Sequence, residues 1–190
     1  MKLYLTNQEE KFKEHLVCLK AIATMPFTKS RLREKVSFVE INTDKKLEAI
    51  NLSFLFNYEI FPKNIMTSFT QWNNENRAMK IGDTIVQQVF IPPIKSFSQK
   101  IIFGVRITEI IDLKTKKGFS YETLQGHAEK GISTFTVEQS DPQKLIFKIH
   151  THSASGNFIS KILSPFFSIP YQTFCTKSAL ANVRRIIEAQ

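Results

Sequence analysis

His127 and Glu129 stand two residues apart between Gly126 and Gly131. On an extended backbone that spacing puts both side chains on one side of the chain. An imidazole beside a carboxylate can give or take a proton near neutral pH. The same pair between two glycines can instead tie down a hairpin by hydrogen-bonding backbone groups, and residue types alone do not separate the two readings. Tyr121 and Thr123 precede the pair at a period of two and share a face with Phe119. If that face points inward, Tyr121 brings a hydroxyl to an apolar interior; the plainer reading is a buried tyrosine bonded to backbone. Gln172, just ahead of the last helical stretch, can enter the same interior or cap a carbonyl. His127, Glu129 and Tyr121 are therefore the candidate acid–base groups.

His150 and His152 repeat the i, i+2 spacing. Together with His127 and Glu129 they would offer a divalent metal nitrogen and oxygen ligands. Ligand spacing across separate strands is not legible without the fold, and no metal or cofactor is expected. Ser153 and Ser155 lack the context of a nucleophile elbow. The chain has only 6 glycines, and it shows neither a phosphate-binding glycine loop nor a dinucleotide fingerprint.

These residues must be positioned by strands and a terminal helix. Thr6 with Glu9 forms a capping-box pattern, and Phe12, Leu16, Leu19 and Ala23 recur at helical spacing, which predicts a helix over residues 7–24 that ends by Pro26. Residues 35–41 read as a short strand with Val36, Phe38 and Val39 as its apolar content. Leu52, Phe54, Phe56, Tyr58 and Ile60 alternate with polar residues and predict a strand, and Ile65, Phe69 and Trp72 predict a helical stripe. Strands follow over 84–91, 99–112, 118–124, 132–139 and 144–152. On the second of these Ile101, Phe103, Val105, Ile107 and Ile111 share a face. Pro92-Pro93 and Asp141-Pro142 punctuate the series, and short connections favour an antiparallel meander. Pro165 and Pro170 interrupt the C-terminal segment early. After Tyr171 a helix runs with Leu180, Val183 and Ile187 on one stripe, and Arg184 and Arg185 suit its C-terminal end.

A helix that follows a run of strands buries its stripe best on the sheet, and a twisted sheet curls around it. The expected fold is α+β: a helix-grip, with a curved antiparallel sheet wrapped around a long C-terminal helix and an N-terminal helical extension. Residues 1–51 are expected to form the extension, packed on a main unit of residues 52–190. With 190 residues, 42% of them hydrophobic and 17 of them Phe, the chain has the material for one core. No apolar run approaches the roughly 20 residues that span a bilayer, and the start is too soon polar for a signal peptide, so a cytoplasmic location is expected. Cys18 and Cys175 are expected reduced and buried. The net charge of +9 permits an anionic partner, but Lys11, Lys13, Lys20, Lys29 and Lys35 are scattered among glutamates. The tightest cluster, Lys114, Lys116 and Lys117, reads as a turn. Nucleic-acid binding is not favoured, because its footprint is a concentrated stripe.

The stretch from Gly118 to Gly131, GFSYETLQGHAEKG, resembles the signature of the DUF1990 (UPF0548) family, G-F-x-Y-G-T-L-P-G-H-P-E-x-G. Gly118, Phe119, Tyr121, Thr123, Leu124, Gly126, His127, Glu129 and Gly131 match it. Phe135 and Val137, Ser153 and Ala154, Pro165 and Gln172, and Trp72 and Gly82 also fit the family's order, so the likeness covers roughly residues 52–185. Glu122, Gln125 and Ala128 depart from it, and the N-terminal third lacks the family's Tyr-Pro opening. The resemblance implies the fold of the START and Bet v 1-like (SRPBCC) superfamily, whose members often bind apolar small molecules. It assigns no reaction, and function carried over from a fold is analogy.

The expected function is binding of an apolar or amphipathic small molecule between sheet and terminal helix, with Phe103, Tyr121, Thr123, His127, Glu129, Phe135, Phe147 and Gln172 facing it. The alternatives are an enzyme working through His127, Glu129 and Tyr121, and a basic protein that acts through its surface.

Overall fold

Alternating β-branched and aromatic residues build the strands, which hold more of the described residues than the helices do. The computed structural model describes residues 2–92, 98–141, 144–155 and 169–190; Pro93, Pro142 and Pro165 lie outside them. The strands are β1 (Lys2–Tyr4), β2 (Arg33–Ile41), β3 (Met66–Thr70), β4 (Thr84–Ile91), β5 (Gln99–Leu113), β6 (Lys116–Thr123), β7 (Glu129–Asp141) and β8 (Lys144–Ser155). They form one 8-stranded sheet in the order β2-β8-β7-β6-β5-β4-β3, and its pairings are antiparallel. β6 pairs with β5 from Val105 onward, and β1 pairs with β5 at Lys100–Ile102. The helices are α1 (Phe12–Lys20), α2 (Ser53–Phe56), α3 (Gln71–Asn74) and α4 (Ile169–Glu188). A large antiparallel sheet with a C-terminal helix is a helix-grip-like α+β arrangement, as expected. No helix among the described residues is long and apolar enough to cross a membrane.

The period of two in each strand separates two faces. On the inner face Ile85, Val105, Ile107, Phe119, Phe135, Val137, Leu145 and Phe147 are buried in one core with Ala179, Val183 and Ile187 of α4. α4 packs on β2 and β8. Residues between β2 and β4, among them Leu52, Leu55, Tyr58 and Trp72, fill the rest of that core. The outer face carries α1, whose Phe12 and Leu16 meet Val86 and Ile102.

Several elements differ from expectation. Residues 52–60 do not form a strand. Leu52 accepts N–H bonds from Leu55 (3.0 Å) and Phe56 (3.2 Å), and Asn51 Oδ1 accepts one from Ser53 (3.0 Å), so the segment closes a helical turn. Leu55, the apolar residue that interrupts the alternation, is fully buried. Residues 66–70 are strand β3 rather than helix. A spacing of four places Ile65 and Phe69 on one face at either period, and Thr67, Ser68 and Thr70 suit a strand. α1 ends at Lys20 and the Thr6–Glu9 box does not form: Thr6 Oγ1 accepts from Gln8 Nε2 (3.0 Å). A β-bulge between Ile107 and Glu109 turns Ile110, not Ile111, toward the core. Val36 and Phe38 are exposed, because α4 covers only the inner face of β2, and Cys18 is exposed on α1. Cys18 and Cys175 are not bridged.

Candidate functional site

The connection from β6 to β7 is a built turn. The N–H of His127 donates to the Leu124 carbonyl (3.0 Å), and Gly126 has φ +84°, the value a type II turn demands at its third residue. Gln125 occupies the second position and donates its N–H to the Ala23 carbonyl (2.9 Å), while Met25 N–H donates to Thr123 O (2.9 Å). The family signature has proline at position 125, which has no hydrogen for the bond to Ala23. Gly131 (φ +150°) crosses so near β8 that a Cβ would meet His152 O at 2.0 Å. Its N–H donates to Thr123 Oγ1 (3.1 Å). Thr123 therefore fastens the hairpin and does not face the open space described below.

That space, about 510 Å³, lies between the inner face and the first turns of α4. Phe61, Met66, Val89, Phe103, Phe135 and Ile149 supply apolar wall. A polar row crosses it by strand register: Tyr121 opposite Ser133, Ser133 opposite Thr151, and Thr151 opposite Lys35. Arg33 and Lys35 line the β2 side, and Gln172, Thr173 and Thr176 line the α4 side. Of the residues expected here, Phe103, Tyr121, His127, Glu129, Phe135 and Gln172 converge on this space. Phe147 does not line it; it is fully buried in the core between sheet and α4.

The chemistry of the hairpin pair differs from a proton-relay pair. His127 Nδ1 lies 3.0 Å from both the backbone N and the carbonyl O of Glu129, so the backbone of Glu129 holds the ring. The imidazole also packs against Phe103, ring centroids 4.5 Å apart. Burial lowers its pKa from 6.5 to about 4, so it is neutral at pH 7. The Glu129 carboxylate turns away and accepts from Gln172 Nε2, which joins β7 to α4. Burial raises the pKa of this carboxyl; the Gln172 bond and Lys35 oppose that rise.

Tyr121 belongs to a buried chain that sequence reasoning missed. Gln87 Nε2 donates to Tyr58 Oη (2.7 Å), and Tyr58 Oη donates to Tyr121 Oη (3.5 Å). Burial raises the pKa of both phenols, and both stay protonated at neutral pH. Tyr58 has φ +61°, a strained conformation for an aromatic residue. Contacts with Phe61, Phe119, Tyr121 and Phe135, centroids 6.0–6.3 Å apart, surround its ring. The available signal was Gln87-Gln88, two amides inside an apolar strand, since a buried amide needs partners. Arg33 and Lys35 were also missed, because their strand was read for its apolar content.

The four groups considered for a metal do not meet. Thr151 and Ser153 line the space, so strand alternation places His150 and His152 on the outer face, away from His127 and Glu129.

The model of a family described as a domain of unknown function (DUF1990) matches residues 49–181. The chain belongs to the DUF1990 family. In this DUF1990 protein the signature falls on β6, the type II turn and the start of β7, so its glycines build the hairpin and its Tyr121, His127 and Glu129 border the space. No curated protein sequence matches the chain. Among solved structures, the hypothetical protein jhp0584 from Helicobacter pylori is similar at 11% identity and TM-score 0.53, covering 89% of this chain and 99% of that one. The two share a fold. A point mutant of norcoclaurine synthase from Thalictrum flavum, in complex with a transition-state analogue, aligns at 10% identity and TM-score 0.47, covering 81% of this chain and 96% of its own. A second structure of that synthase aligns at 10% and 0.41, covering 96% and 98%.

Proposed function

We propose that this DUF1990 protein binds an amphipathic small molecule, with an apolar body and an anionic end, between the inner face of the sheet and α4. The observation that carries the reading is the space of about 510 Å³, which combines an aromatic and aliphatic wall with a row of polar and charged side chains. Ligand sites of roughly 300–1,000 Å³ have this composition. The apolar body lies against Val89, Phe103, Phe135 and Ile149. The anionic end faces Arg33 and Lys35, with Tyr121, Ser133 and Gln172 as further hydrogen-bonding groups. Membership of the START and Bet v 1-like superfamily is part of this proposal, as is the role of residues 1–51 as an extension that supplies β1, α1 and β2 to a unit of residues 52–190.

The acid–base alternative has less support. His127 is engaged by backbone and the Glu129 carboxylate by Gln172, so the two side chains do not form the hydrogen-bonded pair that such catalysis needs.

A fluorescent apolar sulfonate such as anilinonaphthalene sulfonate tests the binding proposal. It is expected to bind saturably with one site per chain. Ile149→Trp, which puts an indole into the part of the space assigned to the apolar body, is expected to abolish binding with the fold retained by circular dichroism. Lys35→Gln is expected to weaken the sulfonate more than an uncharged analogue. Unchanged titrations in Ile149→Trp would place the dye elsewhere and remove the support for this site.

A further inference from the structure

On the outer face, opposite the proposed ligand space, β2 and β8 bring three further groups together. Glu34 is the cross-strand partner of His152, and His150 lies two residues along β8. Glu34 Oε1 is 2.7 Å from His150 Nε2 and 3.6 Å from His152 Nε2. The two imidazole centroids are 4.6 Å apart, and the three ligand atoms lie within 4.8 Å of one another. We infer that Glu34, His150 and His152 form a surface site for one divalent transition-metal ion.

Three features carry this beyond a chance cluster of polar side chains. Both histidines aim the same nitrogen, Nε2, at one carboxylate oxygen. Ligands arranged tetrahedrally at zinc bond lengths stand about 3.4 Å apart, and the two Nε2–Oε1 distances bracket that spacing, so small side-chain rotations suffice. Each group also sits on a strand of a hydrogen-bonded ladder, which fixes the Cα positions without a flexible loop. Two imidazoles and one carboxylate select zinc, nickel, cobalt or copper over calcium and magnesium, which prefer all-oxygen shells. Three protein ligands leave a fourth position to water. β2 ends the sheet order, so the ion would pin a terminal strand to its neighbour.

Proton competition sets the pH range. Metal binding needs neutral imidazoles and an ionised carboxylate. The carboxylate condition is met, because the His150 hydrogen bond lowers the pKa of Glu34. Burial, and then Lys29 and His150, lower that of His152. From β7 the cross-strand neighbours of His152 and His150 are the uncharged Ile132 and Thr134. The nearby Lys148 is paired with Glu138 (2.7 Å). Affinity is therefore expected to fall as pH drops below the ordinary histidine range.

Titration calorimetry of the chelator-treated full chain with Zn²⁺ tests the site. One Zn²⁺ per chain is expected, with loss of binding on acidification to about pH 5, below the ordinary histidine range. His150→Gln with His152→Gln is expected to weaken binding at least about 100-fold, since even outer-shell changes cost 10–100-fold. Glu34→Gln changes an exposed side chain; it is expected to weaken binding with the fold unperturbed, which keeps the test valid if the histidine variant misfolds. His127→Gln and Cys18→Ser are expected to bind as the parent does. Absence of saturable Zn²⁺ binding, or binding unchanged by Glu34→Gln and by the histidine pair, would overturn the site.

Discussion

Burial against Phe103 keeps His127 neutral down to about pH 4. The unfolded chain titrates this group near 6.5, so between 6.5 and about 4 the unfolded state binds more protons. The sign follows: His127 contributes stability that is fully present above pH 6.5 and is lost as pH falls toward 4. The loss is on the order of 3 kcal/mol for a shift of this size. Comparing urea unfolding at pH 7 and pH 4.5 should show a larger acid loss in the parent than in His127→Gln, which cannot titrate. Equal losses would mean that the ring is not buried as described. At this scale the sequence was informative about place and poor about pairing. His127, Glu129, Tyr121 and Gln172 do border one space. Which atom of Glu129 meets the imidazole depends on a left-handed glycine and a type II turn, which the period of two does not encode.

The strands of the meander were legible because each has one face in the core, and alternation then marks it. Misreadings fell where both periods fit the same letters: the 52–60 segment, which closes a helical turn, and β3, whose apolar spacing of four suits helix and strand alike. α1 was shortened because its end is set from outside the helix. Arg106 of β5 donates from Nη2 to the carbonyls of Leu19 (3.2 Å), Lys20 (3.2 Å) and Ile22 (3.1 Å). The Leu19 carbonyl also accepts the Ile22 N–H (3.1 Å), so the arginine adds a distant donor to the local closure of the helix end, and no local pattern in residues 7–24 announces a donor more than eighty residues away. Arg106→Gln should cost about 1.5–3 kcal/mol in chemical denaturation, the range for hydrogen bonds to charged groups. It should also speed amide exchange in α1 more than in β7. Unchanged stability would show that the helix end does not depend on the arginine.

Across the whole molecule the two faces of the sheet differ in what they carry. The inner face is dry where Phe119, Val137 and Phe147 meet α4, and open where Tyr121, Ser133, Thr151 and Lys35 form a row. The outer face holds α1 at the β3–β4 side and the Glu34–His150–His152 cluster at the β2–β8 side. Some of the cationic side chains are held in ion pairs, such as Arg77 with Asp83 (2.6 Å) and Lys148 with Glu138 (2.7 Å), while Arg33 and Lys35 bring positive charge to the open space. This distribution suits an anionic amphiphile better than a polyanion lying along the surface. Native mass spectrometry, on protein purified without detergent and again after incubation with an anionic amphiphile, tests that claim most directly. The account predicts a 1:1 adduct on the 21.9 kDa chain that denaturing conditions release and that Ile149→Trp does not form. The bare-chain mass in both preparations would contradict it.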